Sequence, residues 1–232
     1  YVRYAFSKGW KYCRERQPDV ILCGTVVAAL PAFVLSLFRR RPYVVLVHGS
    51  DLLYPGRLYQ AVTTFFLRTA ATVCANSHQT RLLLETKGIG SGRIEVVYPG
   101  VESARFGKKP ETGAEKILEE IRGRKVLLSV GRLVKRKGIL EFVERVMPDL
   151  VRKHPEIVFL VVGSDATSSL IHKEKMREQI EDKVRELKLE KHVRLLGRLS
   201  DEDLLPLYFR ADVFVLPCLD LPDDVEGFGI VF

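Results

Sequence analysis

Short, unbroken apolar runs alternate with amphipathic stretches along the whole of this 232-residue chain, and that alternation leaves few folds open. Val126-Leu127-Leu128 and Val158-Phe159-Leu160-Val161-Val162 are continuous apolar runs. Strands that are buried on both faces of a parallel sheet read in this way. The pattern predicts strands over 19–23, 43–47, 72–75 and 94–98, then over 125–130, 157–162, 192–196 and 212–216. Helices fit between them at 25–38, 56–70 and 77–87, then at 138–153, 171–188 and 201–210. The last has a capping-box-like start, with Asp203 three residues after Ser200. The fold class is α/β, built from Rossmann-like units. Residues 103–124 are polar, lack a strand signal and allow a short helix from Glu115 to Arg122. The expected organisation is one Rossmann-like domain over 1–106, a linker over 107–124 and a second Rossmann-like domain over 125–232. No solenoid-type repeat or low-complexity tract interrupts it.

Composition excludes several alternatives. With 47% hydrophobic residues the chain is too apolar for disorder. Cys13, Cys23, Cys74 and Cys218 lie far apart, with no C-x-x-C pair and no histidine spaced to complete a zinc site. That argues against a disulfide scaffold or a structural zinc, and for a reducing, cytoplasmic compartment. The net charge of +8 is concentrated in one half: residues 1–116 hold 17 basic and 8 acidic side chains. A basic half suits phospholipid headgroups, a phosphorylated substrate or nucleic acid, and equally a merely soluble surface. Nucleic acid is disfavoured, because aromatics do not interleave with the basic residues and no recognised binding motif occurs. The uncharged stretch from Val20 to Phe38, followed by Arg39-Arg40-Arg41, has the length of a membrane span. Gly24 closing a short strand, Pro31 interrupting the remainder and a second strand at Tyr43–Val47 argue for a strand–helix–strand unit instead. The first residues lack the features of a signal peptide, and the absence of an initial Met leads us to expect a segment of a longer protein.

Three loops carry candidate chemistry. Gly131-Arg132-Leu133-Val134-Lys135-Arg136-Lys137-Gly138 joins an apolar strand to a helix. Glycines let a backbone approach a ligand, a helix N-terminus offers N–H groups, and Arg132 and Lys137 add full charges. Such a loop suits an anion such as a diphosphate, and alone reads equally as a surface turn with solvated charges. It is not a Walker A loop. Glu226-Gly227-Phe228-Gly229 places a carboxylate beside a tight turn, or is a plain loop. His48-Gly49-Ser50-Asp51 follows a strand, where open parallel sheets bind ligands. A lone histidine there is also commonly a packed or hydrogen-bonded residue.

Together these loops resemble the retaining glycosyltransferases of the GT-B fold, group 1 or family four. The second half carries S-V-G-R-L-x-x-x-K-G (129–138), V-V-G-S (161–164), V-x-L-L-G-R-L-S (193–200), A-D-V-F-V-L-P (211–217) and E-G-F-G (226–229). The first half carries H-G-x-D (48–51), A-N-S-x-x-T (75–80) and Y-P-G-V (98–101). Order and spacing follow the family over nearly the whole chain. The second glutamate of the family's E-x7-E motif would fall at position 234, and the Gly-rich loop of the first N-terminal strand would precede Tyr1. The chain is therefore expected to be an internal fragment, with both domains incomplete.

The resemblance implies two Rossmann-like domains facing each other across a cleft. It implies transfer of a sugar from a nucleotide-diphosphate sugar to an acceptor hydroxyl with retention. Arg132, Lys137, Glu226 and His48 are then the catalytic candidates. Gly131, Gly138, Gly163, Arg198, Leu199, Gly227, Phe228 and Gly229 would bind the donor, and Ser77 would cap its helix and face the cleft. No cofactor and no metal is expected, and Asp223-Asp224 has no partner cluster. The acceptor would be a glycan or a lipid-linked or phosphatidylinositol-type molecule, the last suggested by residues 224–232. Arg39, Arg40, Arg41, Arg57 and Arg68 would dock an anionic membrane at its cytoplasmic face. The alternatives are a catalytically inactive or truncated membrane-associated protein of the same fold, and a GT-B epimerase or phosphorylase.

Overall fold

The computed structural model describes residues 2–54, 56–107, 110–165 and 175–221, which form two compact α/β units, the first reaching Gly100 and the second beginning at Val101. In the first unit β1 (Ile21–Cys23), β2 (Tyr43–Val47), β3 (Thr72–Ala75) and β4 (Ile94–Val96) form a parallel sheet in that order. Its register aligns Cys23, Val45, Val73 and Ile94 in one row, all at most 3% exposed. Burial alternates along β2, so this sheet has one deeply buried face. The second unit is a parallel sheet ordered β7-β6-β5-β8, with β5 (Lys125–Val130), β6 (Ile157–Val162), β7 (Val193–Gly197) and β8 (Val213–Phe214). Every residue of β6 is buried. Phe159 and Val161 serve one core and Val158, Leu160 and Val162 the other, so this sheet is covered on both faces.

The helices are α1 (Val2–Arg16), α2 (Ala29–Arg39), α3 (Arg57–Thr69), α4 (His78–Thr86), α5 (Glu115–Glu120), α6 (Ile139–Arg145), α7 (Met147–Lys153), α8 (Met176–Glu186) and α9 (Asp201–Arg210). Four of them correct the sequence reading. The pattern gave no sign of α1, whose apolar face buries little beyond Cys13; Gly9 admits it closely, since a Cβ there would lie 2.8 Å from Leu35 Cδ1. Pro31 does not interrupt α2, because it falls in the first turn, where no intrahelical donor is required. The single helix expected over 138–153 is two, broken at Val146 where Pro148 removes an N–H two residues on. The segment read as a linker carries α5 and docks into the second core through Ala114 and Ile121. Asp203 accepts the Ala114 N–H at 3.0 Å. Among the described residues no helix is long and apolar enough to cross a membrane: Val20–Phe38 divides between β1 and α2.

Candidate functional site

The second sheet ends in three glycines, each at a positive φ: Gly131 after β5, Gly163 after β6 and Gly197 closing β7, at 155°, 146° and 73°. The Gly131 N–H donates to Val162 O at 2.9 Å and the Gly163 N–H to Gly197 O at 2.7 Å. A Cβ on Gly163 would lie 1.8 Å from Gly131 O, so any side chain there would force the strand ends apart. Leu133 continues the pairing, donating to Ser164 O at 2.9 Å.

This close packing positions the cations. A Cβ on Gly131 would sit 3.4 Å from Lys137 Cε, so the bare glycine leaves room for the lysine chain to lie across the strand end. Lys135–Lys137 form a 3-10 turn, and Gly138 leaves it at φ 64°. A Cβ on Gly138 would meet Pro217 O at 1.9 Å, and Leu219 N–H donates to Arg136 O at 2.8 Å. The loop is thus clamped against the segment after β8. Arg136 and Lys137 are 5% and 7% exposed, which overturns the picture of three solvated charges in a row; Arg132 and Lys135 remain exposed. Arg132 and Lys137 border one narrow slot with Gly131, Leu133 and Leu216. The Gly138 N–H is bonded to Lys135 O at 2.9 Å, so this glycine closes the turn. Arg198 is exposed just beyond β7, and Leu199 packs against the core. Glu226, Gly227, Phe228 and Gly229 lie outside the described residues, as does Asp223-Asp224. Among the described residues no group of three or more His, Cys, Asp or Glu side chains could hold a metal ion.

In the first unit His48 follows β2 and is exposed, with Nε2 3.0 Å from Gly24 O at the end of β1. A carbonyl only accepts, so Nε2 carries the hydrogen, and in the neutral ring Nδ1 presents a lone pair. The A-N-S-x-x-T motif proves to be a capping network: Ser77 Oγ accepts from Thr80 N at 3.1 Å, and Thr80 Oγ1 donates to Asn76 Oδ1 at 2.7 Å. Ser77 is 7% exposed. Of the five arginines assigned to a membrane, several have local duties. The Arg39 guanidinium stacks 4.7 Å from the Trp10 ring centroid, Arg41 pairs with Asp19 at 3.2 Å, and Arg68 donates to Lys87 O at 2.9 Å. Arg40 caps α2 at φ 53°, and Arg57 is exposed in the first turn of α3. Sequence reasoning passed over Asp51, whose Oδ2 is buried without a hydrogen-bond partner. Its place in H-G-S-D, three residues after His48, was the available signal.

A parallel sheet whose glycine strand ends lie beside a buried lysine and an exposed arginine defines a class of anion-binding α/β proteins. Residues 113–232 match the family described as glycosyl transferases group 1, and residues 1–105 match glycosyltransferase family 4. The chain belongs to the group 1 glycosyltransferases. It is 26% identical over 230 residues to glycogen synthase of Mycobacterium tuberculosis, covering 94% of the chain and 50% of that protein. It is 31% identical over 147 residues to the GDP-mannose-dependent alpha-(1-6)-phosphatidylinositol monomannoside mannosyltransferase of Mycolicibacterium smegmatis, covering 61% of the chain and 35% of that protein. Among solved structures it resembles Anabaena HepE in complex with UDP, with a TM-score of 0.74 and 20% identity over 92% of the chain and 56% of that structure. The fold is therefore GT-B. The chain spans about half the length of the curated relatives it matches.

Proposed function

We propose that this chain belongs to an enzyme that transfers a hexosyl group from a nucleoside-diphosphate sugar to an acceptor hydroxyl, with retention and without a metal. The observation that carries the reading is the placement of Lys137 over Gly131, on the same slot as Arg132. As the anomeric carbon–oxygen bond breaks, negative charge develops on the departing diphosphate. A buried ammonium lying across the strand end, with an exposed guanidinium beside it, stabilises that charge, and losing one preorganised group of this kind costs about 10²–10³ in rate. His48 Nδ1 accepts a sugar hydroxyl. Glu226 and the N–H groups of Gly227, Phe228 and Gly229 hold the sugar, while Gly163, Arg198 and Leu199 flank the nucleoside. UDP bound to Anabaena HepE and the GDP-mannose named for the mycobacterial relative share a diphosphate, whose charge Arg132 and Lys137 complement. The acceptor is lipid-linked, of the phosphatidylinositol type, and is met at the cytoplasmic face of an anionic membrane. Arg57 supports this: a cation at the positive end of α3 does nothing for the helix.

Titration calorimetry with UDP and GDP tests the donor reading. Binding of one diphosphate, weakened at least tenfold by Arg132→Ala or Lys137→Ala, is expected. Absence of binding to the whole-length protein overturns it. Flotation with anionic vesicles that weakens with salt and with Arg57→Gln is expected for the membrane; salt-insensitive flotation counts against it.

A further inference from the structure

The loop between α4 and β4 reads Lys87-Gly88-Ile89-Gly90-Ser91-Gly92-Arg93. In a parallel sheet this loop lies at the amino end of the strands, the end opposite His48. With Arg68 from α3 it borders an open depression of about 530 Å³, lined by Arg68, Gly88, Ile89, Gly90, Gly92 and Arg93. Neither arginine hangs loose. Arg68 Nη2 donates to Lys87 O at 2.9 Å, and Arg93 Nη1 donates to Arg68 O at 2.5 Å. The Arg68 guanidinium lies where a Cβ on Gly88 would sit, 2.5 Å from Nη2, so Gly88 both takes the positive φ and makes room for the cation. Each fork is anchored through one nitrogen to a backbone carbonyl, and among the described residues the remaining N–H groups meet no acceptor. Among the described residues no carboxylate lines the depression, and the nearest acid along α4, Glu85, is paired with Arg81 at 3.0 Å. Two like charges held together without an internal counterion create a positive potential that an outside anion relieves. Planar forks pre-set by backbone bonds suit the oxygens of a phosphoryl group better than those of a monovalent ion.

We propose that Arg68 and Arg93, over the glycine loop 88–92, form a phosphoryl-binding site separate from the Arg132–Lys137 slot. The ligand is a phosphate monoester or diphosphate, either free or as the headgroup of a lipid. The site stands whether or not the donor reading holds.

The test uses the full chain carrying Arg132→Ala and Lys137→Ala, which silences the other anion slot. Glycine amides labelled with nitrogen-15 are followed by NMR during addition of inorganic phosphate and of pyrophosphate, with sodium chloride at matched ionic strength as control. Saturable shifts at Gly88, Gly90 and Gly92 are expected, absent with chloride and at least tenfold weaker in affinity in Arg93→Gln. Arg93→Gln leaves the Arg68–Lys87 bond in place, so this variant keeps the loop's anchor; Arg93→Lys is expected to recover part of the affinity. A second arm adds vesicles of phosphatidylcholine with and without phosphatidic acid. Arg93-dependent binding to the acidic vesicles, with weak response to free phosphate, assigns the site to a lipid headgroup; the reverse assigns it to a soluble phosphate. No loop shift with either probe, or shifts that persist unchanged in Arg93→Gln, overturns the proposal.

Discussion

The two sheets share parallel topology and differ at their carboxyl ends. In the second unit the ends are made of backbone: Gly131, Gly163 and Gly197 pack so closely that a methyl group on Gly163 would overlap Gly131 O. In the first unit the ends carry side chains. His48 reaches back to Gly24 O, Asn76, Ser77 and Thr80 bond one another, and the space beside Gly24 is open, with nothing within 4 Å of a built Cβ. A receptor made of backbone is rigid and suits a ligand part that never varies, such as a diphosphate. One made of side chains is free to change with a ligand that varies. The sharpest way to break this contrast is to add the same methyl group to each. Gly163→Ala is expected to cost about 3 kcal/mol or more, through strain at φ 146° and displacement of the neighbouring strand end. Gly24→Ala is expected to stay within about 0.5 kcal/mol. Urea unfolding followed by circular dichroism reads both, and equal losses would end the distinction.

What was legible in the sequence divides centre from edge in both sheets. The central strands read cleanly, with 43–47 and 72–75 matching β2 and β3, and 125–130 and 157–162 matching β5 and β6, to the residue. The outer strands pair on one side only and were misread: β1 and β4 are shorter, 21–23 and 94–96, β7 lies one residue further on, 193–197, and β8 keeps only 213–214. Helix α1 was illegible, since a helix that buries little beyond one cysteine shows no periodic stripe. The break at Val146 was legible, because Pro148 stands in plain view, and was missed because the apolar period continues across it. At the candidate site, glycine positions and charges were visible. The burial of Arg136 and Lys137 was not: charge in a sequence does not announce when a neighbouring strand end will cover it.

The contrast also predicts how activity is divided. If the charge of the leaving group is met by the second unit, Lys137→Met should lower turnover of the whole-length enzyme by about 10²–10³. His48→Ala, which on the proposed reading removes one hydrogen bond to a sugar hydroxyl, should lower it about tenfold. Steady-state kinetics on both variants decides the matter: a larger loss at His48 would move the decisive chemistry to the first unit.

Helix caps give a smaller and more even comparison. Ser77 and Ser200 cap α4 and α9 with the same geometry, each accepting an N–H three residues on at 3.1 Å. Ser200→Ala is expected to cost about 1 kcal/mol. Each serine also bonds a second side chain, Thr80 Oγ1 for Ser77 and Asp203 Oδ2 for Ser200, so the difference lies in burial, and Ser77→Ala, at 7% exposure, should cost somewhat more. Denaturant midpoints check the ranking, and the reverse order would mean that the A-N-S-x-x-T network contributes nothing beyond a surface cap.

Acid gives the mildest test. Among the described residues the carboxyls held below their ordinary range, Glu115, Glu156, Asp203 and Asp212, all lie in the second unit. Asp212 is lowered mainly by the Val126 N–H it accepts and then by Arg210; Asp203 is lowered by the Ala114 N–H and Ser200. A carboxyl whose folded value is depressed contributes stability that is complete above its unfolded value and is lost as pH falls through the folded one. The window therefore opens just below the ordinary values of 3.8 for aspartate and 4.5 for glutamate. Trp10, the only tryptophan, lies on α1 and reports the first unit alone, whereas far-ultraviolet dichroism reports both. As pH is lowered below about 4, dichroism should fall before Trp10 fluorescence changes. Asp203→Asn with Asp212→Asn should narrow the gap, because the amide oxygens keep accepting the same N–H groups without titrating. A Trp10 transition that came first would place the acid-sensitive bonds in the first unit, against the one-sided distribution of depressed carboxyls.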